Sequence, residues 1–242
     1  MKLTVLGCGD AFGNGGRYNT SFLLTEKKEH VLIDCGASSL IRLKQESIEL
    51  EAISMIVISH FHGDHFGGLP FFLISSLFEN RREAPLSIVG PPGVESRIYA
   101  LQEAMYAGTG DLLGELDIQY HEYGNDWLDI TDKRVMGKPV EHSELSIPHG
   151  IRLEWRGKTF AFSGDTSWTD NLIPLSRNSD LFICDCNFLH EQAFGHLCYD
   201  EIVARQEELK CDNIWLSHMG NSMLNFEGSV LNGLKDGMKI DF

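Results

Sequence analysis

The apolar run Met55-Ile56-Val57-Ile58 leads, after one serine, into His60-Phe61-His62-Gly63-Asp64-His65. No other stretch restricts the chain as much. The four apolar residues read as a buried strand, and the turn after it crowds three histidines and one carboxylate into six residues. Neutral imidazole nitrogens and carboxylate oxygens suit zinc, manganese or iron, and Gly63 lets the backbone turn tightly enough for several side chains to converge. A polar loop with chance histidines would not need a buried strand to deliver it, so the turn predicts a metal site. Gly67-Gly68-Leu69-Pro70 then opens a helix-like apolar segment, Phe71 to Phe78.

A chain of 242 residues with 43% hydrophobic residues can bury a sizeable core, and without a linker or low-complexity tract it reads as one domain, residues 1–242. Its 20 Lys+Arg against 35 Asp+Glu give a net charge of −15, which argues against an extended nucleic-acid surface, since that needs a basic footprint. A small phosphorylated substrate stays compatible, because bound divalent cations reverse the local field. No segment approaches the roughly 20 apolar residues of a membrane helix. Cys8, Cys35, Cys184, Cys186, Cys198 and Cys211 are scattered without a C-x-x-C pair, and Met1 to Gly7 reads as a first strand rather than a signal peptide. Reduced thiols and a cytoplasmic protein are expected, with no membrane partner and a homodimer left open.

Strands are expected at Lys2–Leu6, Thr20–Leu24, Val31–Ile33 and Leu86–Val89. Further strands are expected at Leu116–Tyr120, Arg134–Met136, Leu181–Cys184, Ile214–Leu216 and Met238–Ile240, with helices at Ala37–Gln45, Val94–Tyr106 and Tyr199–Leu209. Ile151–Trp155 and Thr159–Phe162 flank Arg156-Gly157-Lys158 as a hairpin. The glycine-rich stretch Gly7 to Gly16 lacks the G-x-G-x-x-G that would open a helix, and it reads as a loop between two strands. Strand-rich blocks in both halves suggest two packed sheets with helices outside.

One turn does not complete a metal site. His142 follows Val140-Glu141, Asp165 follows the strand ending at Phe162, and His218 follows Leu216-Ser217. Each alone is an ordinary loop residue; together they are polar residues punctuating apolar strands, the pattern of a site at one edge of a sheet core.

Asp34, the His60-x-His62-x-Asp64-His65 run, His142, Asp165 and His218 fall in the order and contexts of the metallo-β-lactamase-fold hydrolases, and the chain resembles that superfamily from Leu6 onward. Gly7-x-Gly9, Asn19-Thr20-Ser21, Gly90-Pro91-Pro92-Gly93, Ser163-Gly164-Asp165-Thr166 and Gly195-His196-Leu197 are most similar to its ribonuclease Z-like phosphodiesterase branch. The resemblance implies an α/β (α+β) fold, a four-layer αββα sandwich with two divalent metal ions, zinc first and manganese or iron as substitutes. His60, His62 and His142 would hold one ion, Asp64, His65 and His218 the other, and Asp165 would bridge them. Two metals about 3.5–4 Å apart can share a hydroxide that attacks phosphorus. Asp64 and His196 are the expected catalytic residues, Asp64 orienting the hydroxide and His196 assisting the leaving group; Asp34 would support the ligand loop. His149 stands where relatives carry an aromatic, and it is expected to line the pocket.

Two departures narrow the substrate. The interval from His142 to Asp165 is filled by the hairpin, leaving no room for the arm with which tRNA-processing relatives grip tRNA. Where relatives carry His-Glu-Ala-Thr, this chain has Asp185-Cys186-Asn187-Phe188, so the glutamate that orients the catalytic histidine is replaced by Asp185 or Asn187, or is missing. A cyclic nucleotide, another small phosphodiester or an RNA end is therefore expected. The alternatives are a lactone or thioester hydrolase on the same centre, a mononuclear-iron persulfide dioxygenase, or a metal-binding protein without turnover. His62 stands where the diiron oxygen-reducing relatives carry glutamate, which argues against them.

Overall fold

A computed structural model describes every residue except Asp212. Strands β1 (Lys2–Gly7), β2 (Ser21–Glu26), β3 (Glu29–Ile33), β4 (Ile53–Val57), β5 (Leu86–Gly90) and β6 (Ile118–Glu122) build the first sheet. Strands β7 (Leu128–Ile130), β8 (Lys133–Pro139), β9 (His149–Trp155), β10 (Lys158–Phe162), β11 (Leu181–Asp185), β12 (Ile214–Ser217) and β13 (Asn232–Gly233) build the second. The last strand, β14 (Lys239–Asp241), returns to the first sheet, giving the orders β14-β1-β2-β3-β4-β5-β6 and β13-β12-β11-β10-β9-β8-β7.

Each sheet changes character along its width. The β1–β2–β3 and β7–β8–β9–β10 connections are antiparallel, whereas β3 through β6 and β10 through β13 run parallel. Parallel neighbours need crossovers, which the helices supply. Helix α1 (Ser39–Gln45) follows β3, α2 (Gly63–Phe66) and α3 (Leu69–Ile74) follow β4, and α4 (Val94–Met105) follows β5. In the second sheet α5 (Leu172–Ser176), α6 (Tyr199–Leu209) and α7 (Asn221–Leu224) follow β10, β11 and β12.

The central strands bury both faces, which explains their unbroken apolar runs. Val31 and Ile33 of β3, with Met55 and Val57 of β4, meet Leu153, Trp155, Phe160 and Phe162 of the second sheet. Phe22 meets Phe162 edge-on across that layer, at a ring separation of 5.4 Å. The alternate residues Leu32 and Ile56 face α1, α3 and α4 through Leu43, Phe72 and Ile98. Phe182, Cys184 and Leu216 face α5 and α6 through Leu175 and Ile202. The order is helix, sheet, sheet, helix: the four-layer αββα sandwich expected.

Several boundaries differ from the sequence expectation, and the short strands β7 and β13 were not expected. The segment expected as a helix from Phe71 to Phe78 starts earlier, with Pro70 in the first turn, and α3 passes at Ser75 into one π-helical turn, Ser75–Glu79. The strand expected at Leu116–Tyr120 lies two residues further on, because β6 takes its register from Ile118 opposite Leu86. The last strand is one residue later than expected, where Lys239–Asp241 pairs with β1. Among the described residues no helix is long and apolar enough to cross a membrane.

Candidate metal centre

Parallel strands present all their carboxyl ends at one edge, and turns leaving that edge converge. Asp34 leaves β3, His60 leaves β4, Asp165 leaves β10, Asp185 ends β11 and His218 leaves β12. His142 follows β8, which runs antiparallel to β9 as β10 does, so it emerges at the same edge.

Among the described residues, the ligand atoms form three groups whose members lie within 4.8 Å of one another. They are His60, His62 and His142; Asp64, His65, Asp165 and His218; and Asp165, Asp185, His196 and His218. All seven residues expected to bind metal are thus brought together, with His196 beside them. Asp165 Oδ2 lies 3.8 Å from His60 Nε2 and 3.3 Å from both His65 Nε2 and His218 Nε2, so it faces both of the first two groups. Asp64 Oδ2 is 3.3 Å from His65 Nε2 and 3.2 Å from His218 Nε2.

The outward ring nitrogens of His60, His65 and His142 are occupied. His65 Nδ1–H donates to Asp34 Oδ2 at 2.6 Å, and His142 Nδ1–H donates to the Gly195 carbonyl at 2.8 Å. The Ser59 hydroxyl donates to Asp34 Oδ2 at 2.7 Å, so the 3.0 Å contact between His60 Nδ1 and Ser59 Oγ has the ring donating. These bonds hold each of the three rings with Nε2 turned inward, the orientation metal-binding histidines require. Three of the inward atoms, His60 Nε2, His65 Nε2 and Asp165 Oδ1, are buried without a hydrogen-bond partner, whereas His142 Nε2 meets His62 Nδ1 at 3.0 Å and His218 Nε2 meets Asp64 Oδ2 at 3.2 Å. A buried polar atom without a partner is costly, and a divalent cation satisfies a set of imidazoles and carboxylates. The residues fit a divalent metal.

Electrostatics divide the donors. Burial holds His60, His62 and His142 below the ordinary imidazole value, so these rings are neutral. Burial works the same way on His65 and His218, but Asp165 and the neighbouring carboxylates outweigh it and raise both. Asp64 and Asp165 are held below the carboxylate range: burial opposes this, and the adjoining histidines prevail.

Asp34, fully buried, also accepts the Ser59 backbone N–H at 2.7 Å and so braces the ligand turn, as expected. His196 lies flat against His218, ring centroids 5.1 Å apart and planes at 13°, and meets His142 edge-on at 4.9 Å. Its Nδ1–H donates to Asp185 Oδ2 at 3.0 Å. The orienting carboxylate is therefore Asp185; Asn187 turns instead to the His218 carbonyl, at 2.9 Å. Asp185 lifts His196 to about 9 against the opposing effect of burial.

His149 is 8% exposed. Its Nδ1–H donates to the Ile147 carbonyl at 2.9 Å, its backbone N–H donates to the Ser59 carbonyl, and its ring packs on Tyr123. His190 pairs with Asp200 at the surface, and His30 bonds Thr25. Sequence reasoning missed Ser59, which adjoins the motif and was legible there. It also missed Gly195, which sits at φ +89°, where an added Cβ would lie 2.5 Å from His142 Nδ1.

The comparisons agree with this geometry. The chain is 29% identical over 194 residues to the ribonuclease Z of Mycobacterium bovis, covering 76% of this chain and 69% of that one. It superposes on the short form of human tRNase Z with a TM-score of 0.79 at 22% identity, covering 100% and 99% of the two chains. The metallo-β-lactamase fold protein YhfI of Bacillus subtilis gives a TM-score of 0.78 at 21% identity, covering 99% of each. A family model described as anti-Pycsar protein Apyc1 matches residues 1–234. With that match over nearly its whole length, on a metallo-β-lactamase fold of the ribonuclease Z-like branch, the chain belongs to the Apyc1 family.

Proposed function

We propose that this protein is a metal-dependent phosphodiester hydrolase that works with two divalent cations, zinc before manganese or iron, on a small nucleotide phosphodiester. The observation that carries the reading is Asp165, whose carboxylate lies between two donor groups with inward, unpartnered nitrogens. His60, His62 and His142 form one group, Asp64, His65 and His218 the other. The names of the relatives, ribonuclease Z and tRNase Z, concern phosphodiesters in RNA. A small substrate is favoured over tRNA by the net charge of −15 and by the β9–β10 hairpin, which occupies the interval where an arm would stand. The six free cysteines support a reducing compartment such as the cytoplasm.

Bound divalent cations supply Lewis acidity and an activated water. The chain's own residues do the rest. The Asp64 carboxylate would orient the attacking water by accepting its hydrogen. Asp185 keeps His196 charged and turned, so that its Nε2–H can pass to the departing oxygen. The Gly195 carbonyl and the Ser59–Asp34 pair hold His142, His60 and His65 in place.

The test is a metal-reconstituted screen over bis-p-nitrophenyl phosphate, cyclic nucleotides, lactones and thioesters. Phosphodiester turnover is expected, and His196→Ala should lower kcat by roughly 10²-fold or more with metal content unchanged. Activity confined to lactones or thioesters, or a protein holding one iron and neither zinc nor manganese, would refute it.

A further inference from the structure

His218 occupies a position that its own conformation does not favour. Its φ is +58°, in the left-handed region that an imidazole-bearing residue adopts at a cost. What holds it is on the far side of the chain's sequence. The His218 backbone N–H donates to the Cys8 carbonyl at 3.1 Å. Cys8 in turn donates its own backbone N–H to Asp236 Oδ1 at 3.0 Å, and its thiol lies 3.3 Å from the same oxygen. Asp236 Oδ2 accepts the Tyr18 N–H at 2.9 Å, so one carboxylate closes both ends of the glycine-rich loop Cys8–Tyr18. Arg17 completes the closure by donating to the Leu234 carbonyl at 2.8 Å, and Leu234 N–H is bonded to Leu216, two residues before His218.

We infer that Asp236 is a positioning residue for the metal centre: its carboxylate fixes Cys8, and through the Cys8 carbonyl it sets the backbone of His218. The inference rests on the two-cation reading above. No part of Asp236 is a donor to the centre. Its influence passes through two backbone hydrogen bonds in series, so it should fall on the group that contains His218 and spare His60, His62 and His142. The bonds to Asp236 are charge-assisted and partly buried; removing a direct partner of a metal ligand weakens binding by about 10- to 100-fold, and a group one bond further out should act at the lower end of that range.

The experiment titrates zinc, in competition with a chromogenic chelator, into the full-length protein and its Asp236→Ala, His218→Ala and doubly substituted forms. Asp236→Ala should weaken one zinc equivalent about 10-fold or more and leave the other unchanged. In the His218→Ala background the same change should add nothing to the loss, since the path ends at that residue. Asp236→Asn keeps an oxygen for the Cys8 N–H but turns its NH2 toward the Tyr18 N–H, so it should recover part of the affinity lost in the alanine form, and it carries the test if that form fails to fold. Equal weakening of both equivalents, additive losses in the double variant, or no change at all would overturn the inference. A wild-type protein that binds one equivalent would overturn the two-cation reading instead, and the double-variant comparison would then judge Asp236 on that single ion.

Discussion

Asp34→Asn tests the tautomer logic of the centre with the smallest change of shape. Asparagine tolerates the φ of +55° that Asp34 adopts, so the backbone is not at issue. In the native site one carboxylate oxygen accepts the Ser59 N–H at 2.7 Å, while the other accepts the Ser59 hydroxyl at 2.7 Å and His65 Nδ1–H at 2.6 Å. The amide can keep its oxygen on the Ser59 N–H, but then its NH2 points at two donors. Asp34 is 0% exposed, so water cannot relieve the conflict. The imidazole can relieve it by moving its proton to Nε2, the nitrogen 3.3 Å from Asp64 and Asp165. A lone pair aimed at the cation then becomes an N–H. Loss of the charge-assisted bond costs about 1.5–3 kcal/mol, equivalent to about 10- to 100-fold in zinc affinity. Chelator competition measures the affinity, and imidazole ¹⁵N shifts of the zinc-loaded protein report which nitrogen of His65 carries the proton. Zinc binding at wild-type strength with His65 still protonated on Nδ1 would refute the reasoning.

Gly195→Ala places a methyl against His142 Nδ1 and should remove the Gly195 carbonyl bond, lowering zinc affinity at least about 10-fold while the melting temperature moves by only a few degrees; a chelator titration beside a thermal melt separates the two. Asp180 accepts Lys158 Nζ at 2.7 Å and the Thr159 N–H at 2.8 Å, and these bonds hold its carboxyl below the ordinary value although burial opposes them. A depressed folded value contributes stability that is present above the unfolded carboxylate value of about 3.9 and is lost as pH falls through the folded one. Asp180→Asn should therefore cost about 0.5–1 kcal/mol at pH 7 and close that gap near pH 2; urea melts at both pH values giving the same difference would contradict this.

What the sequence disclosed follows from how each contact is encoded. His60 to His65, His142, Asp165 and His218 were legible because each interrupts or follows an apolar strand, and strand ends are readable from alternation and turn residues. The two-sheet, four-layer order was legible for the same reason. Asp185 was visible only as one of two substitutes, because choosing between it and Asn187 depends on which residue of a bent strand end faces His196, a side-chain direction rather than a pattern. The packing of the His149 ring on Tyr123 was not legible, because it too is a side-chain direction. Asp236 had no local signal, since its partners at Cys8 and Tyr18 lie more than two hundred residues away.

Neither sheet owns a complete donor set. The turn after β4 in the first sheet supplies His60, His62, Asp64 and His65, and the second supplies His142, Asp165 and His218, so both donor groups draw on both halves. Any cation held there spans the sandwich like a clasp across two covers of a book. Its binding energy is then cohesion between layers, about 4 kcal/mol when free metal stands a thousandfold above its dissociation constant. The reverse holds too. Donor spacing is gauged by how far one sheet may slide on the other, and that travel is limited by rings such as Phe22 and Phe162, which carry no polar atom and never meet the substrate. In this protein the calipers of the chemistry are made of hydrocarbon.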